Sequence, residues 1–181
     1  MTATHAVNLT AGDGLTYWWH TAPELYPFGH GLSYTDFSFA WSNTPPLVET
    51  VALPSTAQDL AAFSVDHSVV VTNTGTRTSD VVALAFIVRA PGSPPNTPLR
   101  KLFGFERFTA VAPGESRTAH FAPDAHALGV VDETGDRVLQ PGEYGVECGG
   151  VGVKAARALK LTGKPLLVER GSEWAKAADA N

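Results

Sequence analysis

From Thr35 onward the chain alternates between apolar and polar positions with a period of two. Phe37, Phe39 and Trp41 are separated by Ser38 and Ala40, which predicts a strand with one buried face. Pro45-Pro46 ends it, and the weakly patterned stretch Leu47 to Asp59 is expected to loop out. Phe63 to Asn73 resumes the alternation, with Phe63, Val65, Val69 and Val71 on one face and His67 in phase with them. Asn73-Thr74-Gly75-Thr76 is a turn. Val81 to Val88 is apolar on both faces, as a central strand is. Pro91 to Pro98 is a proline-rich loop, and Leu99 to Val111 is a strand interrupted by Gly104, where a bulge or a close backbone approach is expected. After the turn Pro113-Gly114-Glu115-Ser116, the segment Arg117 to Phe121 points Ala119 and Phe121 inward. Leu128 to Val131 and Arg137 to Leu139 flank Asp132-Glu133-Thr134-Gly135 as a hairpin. Tyr144, Val146 and Cys148 share one face of the last main strand, and Lys154 to Leu161 adds an edge strand. About seven short strands with turn signals roughly every ten residues predict an all-β fold, an antiparallel two-sheet sandwich of the immunoglobulin or fibronectin III kind.

The flanks are patterned differently. Met1 to Ala22 shows no clear period. In Pro23 to Tyr34, two prolines and two glycines exclude a regular helix, and the segment reads as an ordered loop packed by its aromatics. Glu173 to Ala180 reads as a frayed helix or a disordered tail. The expected organisation is a linker with the remnant of a preceding domain over 1–34, the β-sandwich over 35–162, and a tail over 163–181.

Composition narrows the partners. With 44% apolar and 17% charged residues the bulk of the chain has enough to bury for folding. The net charge of −5 and the lack of any basic cluster argue against nucleic acid. No apolar run approaches the roughly 20 residues of a membrane helix, so no membrane partner is expected. Met1 to Leu15 lacks the basic start and apolar core of a signal peptide. Two readings stay open: a cytosolic chain, or a piece of a longer secreted protein that is extracellular. Asn8-Leu9-Thr10 fits the N-glycosylation triplet.

Candidate chemistry is sparse. The six histidines lack metal-ligand spacing, and Cys148 is the only cysteine, so no metal and no cofactor is expected. His67 reads as a hydrogen-bonded core histidine and Cys148 as a small buried side chain. Glycoside hydrolysis needs two carboxylates facing across the scissile bond. Here Asp80, Glu115, Asp124, Asp132, Glu133, Asp136 and Glu143 fall in turns, and Glu106 lies mid-strand beside Arg107. None forms a pair in the sequence, and no catalytic residue is assigned. Trp18, Trp19 and Trp41 are candidates for stacking on sugar rings, weighed against plain domain packing.

Several motifs together resemble a known family. Tyr26-Pro27-Phe28-Gly29-His30-Gly31-Leu32-Ser33-Tyr34-Thr35 is similar to the linker that leads into the fibronectin III-like domain of family 3 glycoside hydrolases. In the family's order follow Val70-Val71-Thr72-Asn73-Thr74-Gly75, Leu102-Phe103-Gly104-Phe105-Glu106-Arg107, Ala112-Pro113-Gly114-Glu115-Ser116, and Pro141-Gly142-Glu143-Tyr144. Leu15-Thr16-Tyr17 and Leu128 to Glu133 resemble the β-xylosidase and α-arabinofuranosidase group more than β-glucosidases. Trp18 departs from the pattern, which commonly has arginine there. The resemblance implies a parent enzyme with a retaining, two-carboxylate mechanism, whose nucleophile and acid/base groups lie in domains preceding the linker. No position of this chain matches a family catalytic residue. The implied role is a brace, with Tyr26, Pro27, Phe28, Gly29, His30, Gly31, Leu32 and Tyr34 docking on the catalytic domains in cis or in trans. The alternative is a stand-alone carbohydrate- or protein-binding module.

Overall fold

The computed structural model describes residues 9–42, 48–150 and 153–171. Asn8, Pro45-Pro46 and the segment Glu173 to Ala180 lie outside the described residues. Among those described, two sheets stack face to face. The smaller holds β1 (Phe37–Trp41), β3 (His67–Asn73) and β6 (Ser116–Phe121) in the order β1-β3-β6. The larger has the order β2-β10-β9-β4-β5, from β2 (Val48–Ala52), β4 (Ser79–Arg89), β5 (Arg100–Val111), β9 (Gly142–Gly150) and β10 (Val153–Thr162). A third, small sheet joins β7 (Val130–Val131), β8 (Arg137–Leu139) and β11 (Leu166–Glu169).

The predicted alternation explains how the sheets meet. Phe37, Phe39, Val69, Val71, Ala119 and Phe121 point inward from the smaller sheet, against Val81, Ala83, Ala85 and Cys148 of the larger. A second buried cluster around Ile87, Leu139, Tyr144, Val146 and Leu159 fills the other end. Trp41 and Phe103 pack against both clusters. Gly104 has the close approach expected of it: a Cβ there would sit 3.0 Å from Phe121 Cδ1. The register of β4 against β5 slips beside it, between Ala85 and Phe86. The single thiol of Cys148 is buried in this core, and that burial pushes its pKa up to about 12.

Four expectations are corrected. The strands number eleven among the described residues rather than about seven. Leu47 to Asp59 is not a loop: it holds β2 and a short helix, α2 (Ala57–Ala61), with Thr56 as its side-chain cap. β2 runs parallel to β10, Val48 opposite Ala158, so β10 is not an edge strand. The 163–181 segment is not all tail, because β11 pairs antiparallel with β8. The physical reason is common to these. β2 places Val48, Thr50 and Ala52 outward and turns the charged Glu49 inward, so its alternation carries little apolar contrast. β11 is too short to show a period.

Glu49 also bears on a further correction. His67 is buried as expected, but neither ring nitrogen has a hydrogen-bond partner among the described residues. Its Nδ1 lies 3.7 Å from Glu49 Oε2, which receives a 3.1 Å hydrogen bond from Arg157 Nη1. The Arg157 guanidinium lies 3.8 Å over the Trp41 ring. Burial first, and the Arg157 charge second, hold the His67 pKa below 6.5, against the opposing pull of Glu49 and Asp66. Below pH 6.5 the unfolded chain therefore binds a proton that the folded chain resists. Stability from this group is present above that pH and is lost as the pH falls through the lowered folded value. Unfolding free energies from urea titrations between pH 7.5 and pH 5 should fall for the wild type, by at most about 1.4 kcal/mol per pH unit for one proton. They should fall less steeply for His67→Leu. Parallel curves would contradict the assignment.

Candidate docking face and adjoining clefts

The linker does not hang free of the sandwich. A turn is closed by the His30 N–H donating to the Pro27 carbonyl at 2.8 Å, with Gly29 at its third position in the left-handed region, φ +85°. A type II turn requires that backbone. It lays Gly29 on Leu84, where an added Cβ would lie 2.7 Å from Leu84 Cδ1. Phe28 stacks on Tyr17 with ring centroids 3.9 Å apart and meets Phe86 edge-on at 6.3 Å. The two-faced apolarity of β4 is thereby explained. One face fills the sandwich core, and Leu84 and Phe86 on the other carry the linker. At its far end the linker is pinned by Thr35, whose hydroxyl donates to Asn73 Oδ1 at 2.9 Å.

Part of the linker stands exposed among the described residues. Leu32 is 93% exposed, Leu25 88%, Tyr34 86% and Tyr26 69%. The Tyr26 ring meets the His30 ring, with centroids 4.9 Å apart. Pro27 is exposed and Gly31 half-buried. Exposed apolar residues scattered singly need no explanation, but four within ten residues of one ordered segment form a patch.

The three candidate tryptophans are divided. A short helix, α1 (Thr16–Trp19), docks at the start of β5 through the N–H of the preceding Leu99, which donates to the Trp18 carbonyl at 2.7 Å, and the Leu102 N–H, which donates to Tyr17 Oη at 3.2 Å. Lys101 Nζ lies 5.8 Å from the Trp18 ring and Arg89 5.7 Å from the Trp19 ring. Both indoles line one cleft of ≈ 680 Å³ with Lys101, Asp132 and Arg137. Trp41 is elsewhere, against Arg157 and His67, with Nε1 donating to the Ala156 carbonyl at 3.2 Å. Its surroundings are those of packing. Lys101 Nζ donates to the His126 and Ala127 carbonyls at 2.8 and 2.9 Å, at the C-terminal end of α3 (Ala125–Leu128). Burial foremost, and then Arg137, bring its pKa down to about 8.

The acids have local duties. Arg107, followed by the Ala110 N–H, holds Asp80 below the usual carboxylate range. The Thr134 hydroxyl does so for Asp132 within its turn. Asp124 caps α3 by accepting from the Ala127 N–H at 2.8 Å. Glu106 accepts from the His120 N–H at 3.1 Å and so ties the edge of the larger sheet to the smaller.

A second hollow, ≈ 170 Å³, opens between the linker turn and the outer face of the larger sheet. Phe28, His30, Phe86, Arg100, Gly149 and Lys154 line it. Of these, Arg100, Gly149 and Lys154 had no functional reading in the sequence. They come from three strands and meet only through β-pairing, so no local spacing signals them.

Comparison with known proteins agrees with this geometry. Residues 81–151 match the fibronectin type III-like domain. The probable exo-1,4-beta-xylosidase bxlB of Aspergillus fumigatus is 36% identical over 164 residues, covering 86% of this chain and 21% of that protein. Among solved structures, a GH3 exo-beta-xylosidase (XlnD) in complex with a xylobiose aziridine probe superposes with TM-score 0.70 and 27% identity, over 87% of this chain and 21% of that one. A beta-glucosidase of Kluyveromyces marxianus in complex with glucose gives TM-score 0.62 and 27% identity, over 80% and 16%. The chain spans about a fifth of the length of the curated relatives it matches.

Proposed function

Since this chain carries the fibronectin type III-like domain of family 3 glycoside hydrolases, we propose that it acts as a brace, docking on the catalytic domains of such an enzyme in cis or in trans. The parent reaction is hydrolysis of β-linked plant glycans such as xylan, and the reacting carboxylates belong to those other domains. The observation that carries this reading is the linker itself. One side of Pro27 to His30 is anchored on Leu84 and Phe86, while Leu25, Tyr26, Leu32 and Tyr34 project from the ordered segment. Each such side chain gains about 1.5–3 kcal/mol on full burial, which suits a surface made to be covered.

The test is complex formation between the purified chain and a family 3 catalytic core, followed by titration calorimetry. Leu32→Glu should weaken the complex about 100-fold, since it replaces a buried aliphatic contact by a charge. The thermal stability of the isolated chain should be unchanged, because Leu32 is 93% exposed among the described residues. A complex indifferent to this substitution would remove the linker from the interface.

A second reading, a carbohydrate-binding module, is favoured by one observation. Trp18 and Trp19 share a cleft with Asp132 and Arg137, and clefts of that size suit small ligands. Saturable xylo-oligosaccharide binding by the isolated chain, lost in Trp18→Ala, would favour it over the brace.

A further inference from the structure

We infer that the hollow between the linker turn and the larger sheet receives an aspartate or glutamate side chain from the domain that covers the linker; this rests on the docking reading above.

The charges are unbalanced in the required sense. Arg100 Nη2 lies 3.8 Å from Glu147 Oε2, and Lys154 Nζ lies 2.5 Å from Glu147 Oε1. Two cations thus share one carboxylate. The Arg100 guanidinium is spread over the Phe86 ring at 3.6 Å, and its Nε is buried without a hydrogen-bond partner among the described residues. A guanidinium is a planar fork suited to a carboxylate, and a buried donor left unpaired is costly. Both features are relieved by a second acceptor.

The shape agrees. Gly149 stands opposite Leu84 in the ladder and lines the hollow, with Arg100, without a side chain to fill it. Phe28 and Phe86 wall the hollow with apolar surface, which suits the hydrocarbon stem of an acidic side chain better than a bare inorganic anion. The volume of ≈ 170 Å³ exceeds the roughly 30 Å³ share of one water several times over. Pro27 and His30 line it, and Tyr26 and Leu32 flank that turn in the chain. The residues on which a covering domain would rest are thus chain neighbours of the residues that line the hollow.

Butyrate reproduces a glutamate side chain, and butyramide is its neutral counterpart. Butyrate titrated into the full chain up to about 100 mM should shift the amide resonances of His30 and Gly149 saturably, and butyramide should not. Arg100→Gln and Lys154→Gln should each weaken the shift about tenfold. Glu147→Gln should strengthen it about threefold, since it removes the competing carboxylate. A purely structural role for these residues predicts no such gain. In the complex with the catalytic core, Arg100→Gln should cost about tenfold in affinity.

Absence of a saturable butyrate shift, or equal shifts with butyramide, overturns the inference and leaves the docking reading intact. So does a complex that tolerates Arg100→Gln while Leu32→Glu abolishes it. Butyrate binding by a chain that forms no complex with the core overturns the docking reading, and with it the neighbouring domain as the source of the carboxylate.

Discussion

Tyr144→Ala should lower the stability of the chain by about 4 kcal/mol, the usual cost of deleting a buried aromatic ring from a packed core. For a domain of this size that corresponds to a fall in Tm of about 8–16 °C. Tyr144 is fully buried near the start of β9, within the cluster of Ile87, Leu139, Val146 and Leu159. Its hydroxyl donates to the Gln140 carbonyl at 3.0 Å, across Pro141-Gly142. A tyrosine at the start of such a strand that bonds backbone a few residues upstream is a tyrosine corner. It fixes where the chain leaves β8 and enters β9. Burial raises the pKa of the phenol well above its ordinary value, so the hydroxyl remains a donor throughout the neutral and mildly alkaline range. Tyr144→Phe keeps the ring and loses the bond, and should cost about 1 kcal/mol. Thermal melts of the two variants separate packing from the hydrogen bond. Equal losses would contradict this division.

Asn73→Ala should cost about 3 kcal/mol, because its buried amide serves three backbone groups at once. Nδ2 donates to the Arg77 and Val111 carbonyls at 2.8 and 2.9 Å. Oδ1 accepts from the Gly75 N–H at 3.1 Å and from the Thr35 hydroxyl at 2.9 Å. One side chain therefore closes the turn between β3 and β4, holds the end of β5, and pins the linker where it enters β1. Asn73→Asp keeps the acceptor but loses both donors and buries a carboxylate against two carbonyls. It should be destabilised at neutral pH and should recover part of the loss as the pH falls and the carboxyl protonates. Chemical denaturation of both variants at pH 7 and pH 5 tests this. If Asn73→Asp were as stable as the wild type at pH 7, the donor bonds would be shown to contribute little.

Both residues sit in motifs that the sequence displays. Val70 to Gly75 and Pro141 to Tyr144 carry the family resemblance, and their physical content is a fully satisfied amide and a phenol that closes a corner. The period-two runs from Phe37 to Trp41, His67 to Asn73 and Val81 to Val88 were legible for the same reason. Each packs one or both faces on a core, and burial imposes apolar side chains at alternate positions. β2 was not legible, because its inward Glu49 is balanced by Arg157 from a strand more than 100 residues away. β11 was not legible because its pairing with β8 is all that makes it a strand.

The linker divides in the same way. Tyr26, Phe28, Leu32 and Tyr34 announced an apolar segment, but their parts could not be assigned from spacing. Phe28 is committed to Tyr17 and Phe86, while Leu32 and Tyr34 project outward. Three tryptophans were candidates for one role. Folding places Trp18 and Trp19 on one cleft and Trp41 against Arg157 and His67.

By itself, then, the sequence determined the all-β sandwich, its principal strands, its turns and its kinship, because these depend on local periodicity and backbone preference, which neighbouring residues express directly. Only the tertiary structure decided which aromatics are spent within the chain and which remain outside, and that Arg100, Glu147 and Lys154 gather beside the linker. Side chains from separate strands become neighbours through register across a sheet, and register is a property of the folded whole.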